Sequence, residues 1–152
     1  MTAIKFTIDG KGVQSQLGQT VLQAALANGI HIPHLCYHPA LSPFAGCRLC
    51  IVEIKGGKAP LASCSLPVKE GMEVTANSDK LFKYRKTVLD LILSDHPSNC
   101  MTCEKNGECQ LQKYAYEYGL EKTSFEGERT SYPDETGNPL IEMSYRTCIM
   151  CG

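Results

Sequence analysis

The sequence predicts an α+β chain whose small sheet-bearing first part gives way to a mainly helical second part. Three observations carry that expectation. Ile4, Phe6 and Ile8 alternate with Lys5, Thr7 and Asp9, the period of a half-buried strand. Thr20 is followed three residues later by Gln23, the signature of a capped helix start. From Ser78 the apolar residues take up a helical period.

In chain order, the first strand is followed by a turn at Gly10-Lys11-Gly12 and a second strand around Val13–Leu17, giving a hairpin. A helix over Val21–Asn28 should bury Val21, Leu22, Ala25 and Leu26, with Gly29 just past its end. The stretch from His31 to Leu49 has no period and contains Pro33, Pro39 and Pro43, so it reads as a loop. Cys50–Ile54 reads as a strand stopped by Gly56-Gly57, and Met72–Thr75 as another. A domain of residues 1–77 is thus expected. In a second domain, residues 78–119, Ser78 caps a helix whose buried face is Leu81, Val88, Ile92 and Leu93. A cysteine-rich loop, Asp95–Cys109, follows, and then a helix over Gln110–Tyr118 stopped by Gly119. Residues 120–152 are polar and irregular, with Pro133 and Pro139.

Composition narrows the function classes. Of 152 residues, 43% are hydrophobic and 20% charged, with a formal net charge of −1, so no bulk charge draws the chain to nucleic acid or to a membrane surface. No Trp is present to stack on bases. No apolar run approaches the ~20 residues of a membrane helix, and the first residues lack the apolar core of a signal peptide. A cytoplasmic location, where thiols stay reduced, is therefore expected. There the nine cysteines read as metal ligands or reactive groups rather than disulfides.

Cys36, Cys47, Cys50 and Cys64 are spaced C-x10-C-x2-C-x13-C, in or beside the long loop and after the next strand. Four thiolates so placed suit a two-iron cluster, and the small Ala45 and Gly46 would let main-chain amides approach its sulfurs. A structural zinc accepts the same ligands, although zinc sites more often use two close pairs where this set has one. His96, Cys100, Cys103 and Cys109 form a second set, H-x3-C-x2-C-x5-C, for which spacing leaves zinc and iron–sulfur equally open. His31, His34 and His38 carry no such triplet and read as ordinary histidines. Gly10-x-Gly12 lies in a hairpin and lacks a third glycine, so it is not a dinucleotide fingerprint, and there is no phosphate-binding loop or DNA-reading helix pair.

The runs Cys36-Tyr-His-Pro-Ala-Leu-Ser-Pro43, Gly46-Cys-Arg-Leu-Cys50-Ile-Val-Glu53 and Ala62-Ser-Cys64-Ser-Leu-Pro-Val68 resemble one ferredoxin family. It is the N-terminal region of the complex I large Fe–S subunit, of [FeFe] hydrogenases and of NAD-linked formate dehydrogenase catalytic subunits. The spacing differs from the C-x4-C-x2-C of plant-type ferredoxins. The second set, within Ser94-Asp-His96 through Cys109-Gln-Leu-Gln112, resembles the motif of one histidine and three cysteines that follows in the same families.

The resemblance implies a β-grasp ferredoxin-like domain holding one [2Fe–2S] cluster on Cys36, Cys47, Cys50 and Cys64. It implies a small mainly helical domain holding one [4Fe–4S] cluster on His96, Cys100, Cys103 and Cys109. The neutral imidazole removes a negative charge relative to a fourth thiolate, which favours reduction, and its other ring nitrogen should meet an acceptor. Cys148 and Cys151 look like the opening of a further cluster motif, an incomplete third site, which suggests a piece of a longer subunit or else a short protein whose terminal pair has another fate. The implied function is one-electron relay in a redox complex, between a flavin/NAD(P)H-binding subunit and a formate dehydrogenase or hydrogenase catalytic unit, with no catalysis by this chain alone. A zinc-stabilised interaction module without redox role is the alternative.

Overall fold

The computed structural model describes residues 3–141 and 143–151. Glu142 in the irregular segment, and the residues at the two chain ends, lie outside the described residues. The chain divides into two compact units, Met1–Arg85 and Lys86–Cys151.

In the first unit, strands β1 (Ala3–Ile8) and β2 (Lys11–Gln16) form an antiparallel hairpin in which Ile8 pairs with Lys11. The connection is therefore a two-residue turn, Asp9-Gly10, rather than the expected Gly10-Lys11-Gly12. Both turn residues have positive φ, 50° and 77°, the combination whose twist matches a hairpin. Lys11 and Gly12 belong to β2, and Leu17 lies beyond its end at 80% exposure. Helix α1 (Val21–Ala27) begins at a complete capping box: the Gln23 amide donates to the Thr20 hydroxyl at 3.3 Å, and the Thr20 amide to the Gln23 side-chain oxygen at 2.9 Å. Gly29, at φ 70°, follows the helix as expected.

Strands β3 (Ile51–Ile54), β4 (Leu61–Ala62) and β5 (Glu73–Thr75) complete a five-stranded sheet in the order β2-β1-β5-β3-β4. The short β4 was not expected: two residues are too few to show a period. Strands β1 and β5 pair in parallel at the centre, and the other pairings are antiparallel, the mixed sheet of a ferredoxin-like domain. The alternation in β1 turns Ile4, Phe6 and Ile8 into the core, where they meet Leu22 of α1, Val52 and Val74. Each fully buried aliphatic side chain contributes roughly 1.5–3 kcal/mol. On α1 the buried residues are Val21, Leu22, Ala24 and Ala25, whereas Leu26, expected inside, is 39% exposed. One residue past Ala25 the helix surface has turned away from the core, and the small Ala24 takes the close position.

The Asp9 carboxylate ties the hairpin turn to the end of β5, accepting from the Ala76 amide at 2.8 Å and the Asn77 amide at 3.2 Å. Helix α2 (Asp79–Asp95) starts where the Leu81 amide donates to the Ser78 hydroxyl at 3.2 Å. Leu81 and Leu89 are fully buried, and Val88, Ile92 and Leu93 half-buried. The same helix also buries two charged residues, Arg85 at 2% exposure and Asp90 at 9%. A 3-10 turn, Cys100–Thr102, and helix α3 (Gln110–Glu117) follow, the latter ending before Gly119 at φ 66°.

Asp90 fastens the irregular segment of the second unit. Its carboxylate accepts from the Ser124 amide at 2.8 Å, from the Thr123 hydroxyl at 2.9 Å and from the Ser124 hydroxyl. Burial by itself would raise the Asp90 pKa, but these donors favour the ionised form and hold it below the usual aspartate range. Asp90→Ala should therefore speed tryptic cleavage after Lys122 and Arg129 severalfold, read by mass spectrometry. A depressed carboxyl pKa adds stability above the unfolded value of about 4 that is lost as pH falls through the folded value. The thermal-stability penalty of Asp90→Ala should thus be present at neutral pH and shrink progressively as pH falls below the unfolded carboxyl value of about 4.

Candidate metal centres

The loop from His31 to Leu49 carries Cys36 and Cys47, Cys50 precedes β3, and Cys64 follows β4. The antiparallel pairing of β3 with β4, with Ile51 opposite Ala62, brings Cys50 and Cys64 together although 13 residues lie between them. Both are 1% exposed, whereas Cys36 and Cys47 are half-buried. The four thiols lie close enough to act on one another: Cys47 on Cys36, and Cys50, Cys36 and Cys47 together on Cys64.

The loop backbone is shaped toward the sulfurs. The Cys47 amide donates to Cys36 Sγ at 3.5 Å, and the Gly46 amide also faces that sulfur. Ala45 and Arg48, on either side of Gly46-Cys47, hold the left-handed conformation at φ 56° and 55°, which L side chains adopt only at a cost. Gly46 is further restricted because a Cβ there would sit 2.5 Å from the Phe44 ring.

Behind the ligand loop, the three successive carbonyls of Leu49, Cys50 and Ile51 are all held. Arg85 Nε donates to Leu49 O at 3.1 Å and Nη2 to Ile51 O at 2.7 Å; a further Nη2 bond reaches Ala76 O at 2.9 Å. Cys50 O accepts from the Ser63 hydroxyl at 2.7 Å and from the Ser63 amide at 3.0 Å. Ser63 is fully buried and adjoins Cys64, so one residue locks both members of the inner pair. Nothing in the sequence signalled Arg85 or Ser63, since their partners are main-chain oxygens brought close by the fold.

In the second unit, His96, Cys100, Cys103 and Cys109 all line one pocket of about 500 Å³, partly open to solvent, with Leu93, Leu111 and Ala115 among its apolar walls. His96 follows α2, Cys100 opens the 3-10 turn, and Cys109 is the N-cap residue of α3, at the positive end of that helix. His96 Nδ1 lies 3.0 Å from Pro97 O. A carbonyl can only accept, so this bond places the ring proton on Nδ1 and leaves the Nε2 lone pair free to ligate. That carbonyl is the acceptor the sequence did not identify. Gln112 steadies the loop between Cys103 and Cys109: its side-chain oxygen accepts from the Gly107 amide at 2.9 Å, and its Nε2 donates to Asn106 Oδ1 at 2.8 Å.

Cys148 and Cys151 are both exposed and belong to neither group. The Met150 amide donates to Cys148 Sγ at 3.4 Å, and Met150 has φ 51°.

These arrangements fit polyatomic clusters better than single ions. A zinc site draws its four ligands to ~2.0–2.3 Å around one point and leaves no hollow between them. Here the first set gathers four thiols, and the second surrounds an open pocket. Among the described residues, no three His, Cys, Asp or Glu side chains lie close enough to share one metal ion.

Comparison with known proteins gives the same assignment. Residues 1–79 match the 2Fe-2S iron-sulfur cluster binding domain family. The chain belongs to that family. Residues 85–124 match the NADH-ubiquinone oxidoreductase-G iron-sulfur binding region, so this ferredoxin-family chain carries one [2Fe–2S] and one [4Fe–4S] binding region in succession. It is 38% identical over 148 residues to the G subunit of the NADH-quinone oxidoreductase of Rickettsia typhi, covering 97% of this chain and 22% of that protein. It is also 38% identical over 150 residues to the mitochondrial NADH-ubiquinone oxidoreductase 78 kDa subunit of Neurospora crassa, covering 97% and 20%. The alpha subunit of the NADPH-Fe(3+) oxidoreductase of Geobacter sulfurreducens matches at 38% over 148 residues, covering 97% and 18%. A crystal structure of an NAD+-reducing [NiFe]-hydrogenase in the H2-reduced state superimposes with a TM-score of 0.90 at 37% identity, covering 98% of this chain and 63% of that one. The chain spans about a fifth of the length of the curated relatives it matches. It is an electron-transfer module of this family, and no helix among the described residues is long and apolar enough to cross a membrane.

The metal-free protein has a distinct thiol chemistry. Burial, then the neighbouring Cys50, Cys36 and Cys47, push the Cys64 thiol up to about 12; burial chiefly raises Cys36 as well. Alkylation by iodoacetamide at about pH 8 requires thiolate. Cys64 should therefore react at least about tenfold more slowly than the exposed Cys148 and Cys151, as followed residue by residue in peptide maps. Equal rates would contradict the burial described here.

Proposed function

We propose that Cys36, Cys47, Cys50 and Cys64 hold the [2Fe–2S] cluster, with Cys36 and Cys47 on one iron and Cys50 and Cys64 on the other. We propose also that His96 Nε2, Cys100, Cys103 and Cys109 hold the [4Fe–4S] cluster. The observation that carries this reading is the grouping of eight separately spaced residues into one set of four neighbouring thiols and one shared pocket. Bound clusters supply one-electron oxidation and reduction with no bond to a substrate.

The chain's own residues bind, orient and shield. Ser63 and Arg85 fix the backbone on which Cys50 stands, and the Cys47 amide supplies a hydrogen bond to sulfur. Pro97 O sets the imidazole tautomer. In this reading the chain relays electrons in a cytoplasmic redox complex between a flavin/NAD(P)H-oxidising subunit and a catalytic unit of the formate dehydrogenase or hydrogenase kind. The printed names of its relatives, which include an NADH-quinone oxidoreductase subunit and an NAD+-reducing hydrogenase, support such partners. By itself it should oxidise no NADH. Cys148 and Cys151 would provide two of the four ligands of a further cluster.

Anaerobic iron and sulfide analysis with EPR of the reduced protein tests the assignment. About six irons and six sulfides per chain are expected, with separable two-iron and four-iron signals. Cys47→Ser should remove only the two-iron signal. His96→Ala should perturb only the four-iron signal, and His96→Cys should restore that centre at a lower potential, because a thiolate adds negative charge. Zinc in place of iron after anaerobic reconstitution would defeat the reading.

A further inference from the structure

Arg85 is 2% exposed, yet among the described residues no carboxylate lies within ion-pair distance of it. A buried cation is ordinarily paired, because removing it from water is costly. Its recorded hydrogen bonds all go to main-chain carbonyls, and two of these, on Leu49 and Ile51, belong to the residues immediately before and after Cys50. The Cys50 carbonyl is taken by Ser63, so the guanidinium spans the ligand from both sides. Carbonyl dipoles solvate the positive charge but do not cancel it. Cys50, between the two bonded carbonyls, is itself one of the four thiols that the fold gathers at the inner site.

On these grounds, and resting on the ligand assignment above, we propose that Arg85 is a positioning residue for Cys50 and the buried counter-charge of the two-iron centre, favouring its reduced form. Reduction adds one electron from the redox partner, converts one ferric ion to ferrous, and breaks no bond and requires no proton. It therefore adds one negative charge beside Cys50. A fixed cation excluded from water attracts that charge with little screening, so it stabilises the reduced form more than the oxidised one. The guanidinium also suits the geometric task, because its planar fork can reach Leu49 O and Ile51 O together, which an ammonium cannot.

The test uses the full chain, reconstituted anaerobically, with the two-iron midpoint potential read by EPR-monitored titration and cluster loss followed in excess chelator. Arg85→Gln should shift the reduced-to-oxidised ratio at fixed potential toward oxidised by about tenfold, equivalent to 59 mV for one electron. Arg85→Lys should keep a potential close to wild type but lose its cluster to chelator severalfold faster, since charge is retained and the double contact is not. An Arg85→Gln midpoint equal to wild type overturns the electrostatic role. If Arg85→Gln does not fold, Arg85→Lys decides: faster cluster loss at a preserved potential supports the proposal, and a wild-type rate of loss overturns the positioning role. A wild-type protein with no two-iron signal overturns the ligand assignment and this inference together, whereas an unchanged midpoint in Arg85→Gln overturns this inference alone.

Discussion

The first site depends on the fixed backbone of Leu49-Cys50-Ile51. Three consecutive carbonyl oxygens lie there in the protein interior, and a buried carbonyl without a donor costs about 1–3 kcal/mol. The first strand pairing does not begin until Ile51, so the sheet alone leaves this stretch unsupported. Arg85 and Ser63 supply the missing donors. The same bonds tie the Cys50 backbone to Cys64, because Ser63 is covalently next to one cysteine and hydrogen-bonded to the other. The two cysteines therefore form one mechanical unit, and the more exposed Cys36 and Cys47 stand on the neighbouring loop.

That loop shows how a cluster-binding segment differs from an ordinary connection. Left-handed backbone at Ala45 and Arg48 carries a conformational cost. What it produces is a main chain whose amides point at sulfur. Burial disfavours the charged form of Cys36 and of Cys64, the latter pushed up to about 12. Metal binding and proton release are necessarily linked at such a site. The second pocket is lined differently. His96 is oriented by the carbonyl of the next residue, and Cys109 stands at the positive end of a helix.

Buried charge serves two purposes in α2. Arg85 is turned to main-chain carbonyls around a ligand, and Asp90, five residues on, is turned to the hydroxyls and amide of Thr123 and Ser124. Neither has an ion-pair partner among the described residues. Arg85 is satisfied by carbonyls at the entry to β3 and just after β5, and Asp90 by the irregular segment at Thr123 and Ser124.

Much of the site was legible in the sequence, because cysteine and histidine spacing is a local property and the residues that ligate iron have few chemical substitutes. The hairpin, the capping box at Thr20 and the helices after Ser78 and Cys109 were also readable, since each follows from a short-range period or a side chain bonding its own backbone. The turn at Asp9-Gly10, the exposure of Leu26 and the two-residue β4 were misread or missed, because they turn on one-residue differences in register. The approach of Cys64 to Cys50 was fixed by the pairing of β3 with β4, which joins residues that spacing alone cannot relate. The sequence by itself therefore determined which atoms can bind iron. Only the tertiary structure decided how Arg85, Ser63 and Pro97 hold those atoms, because their partners are carbonyl oxygens, which every residue carries and which only folding makes specific.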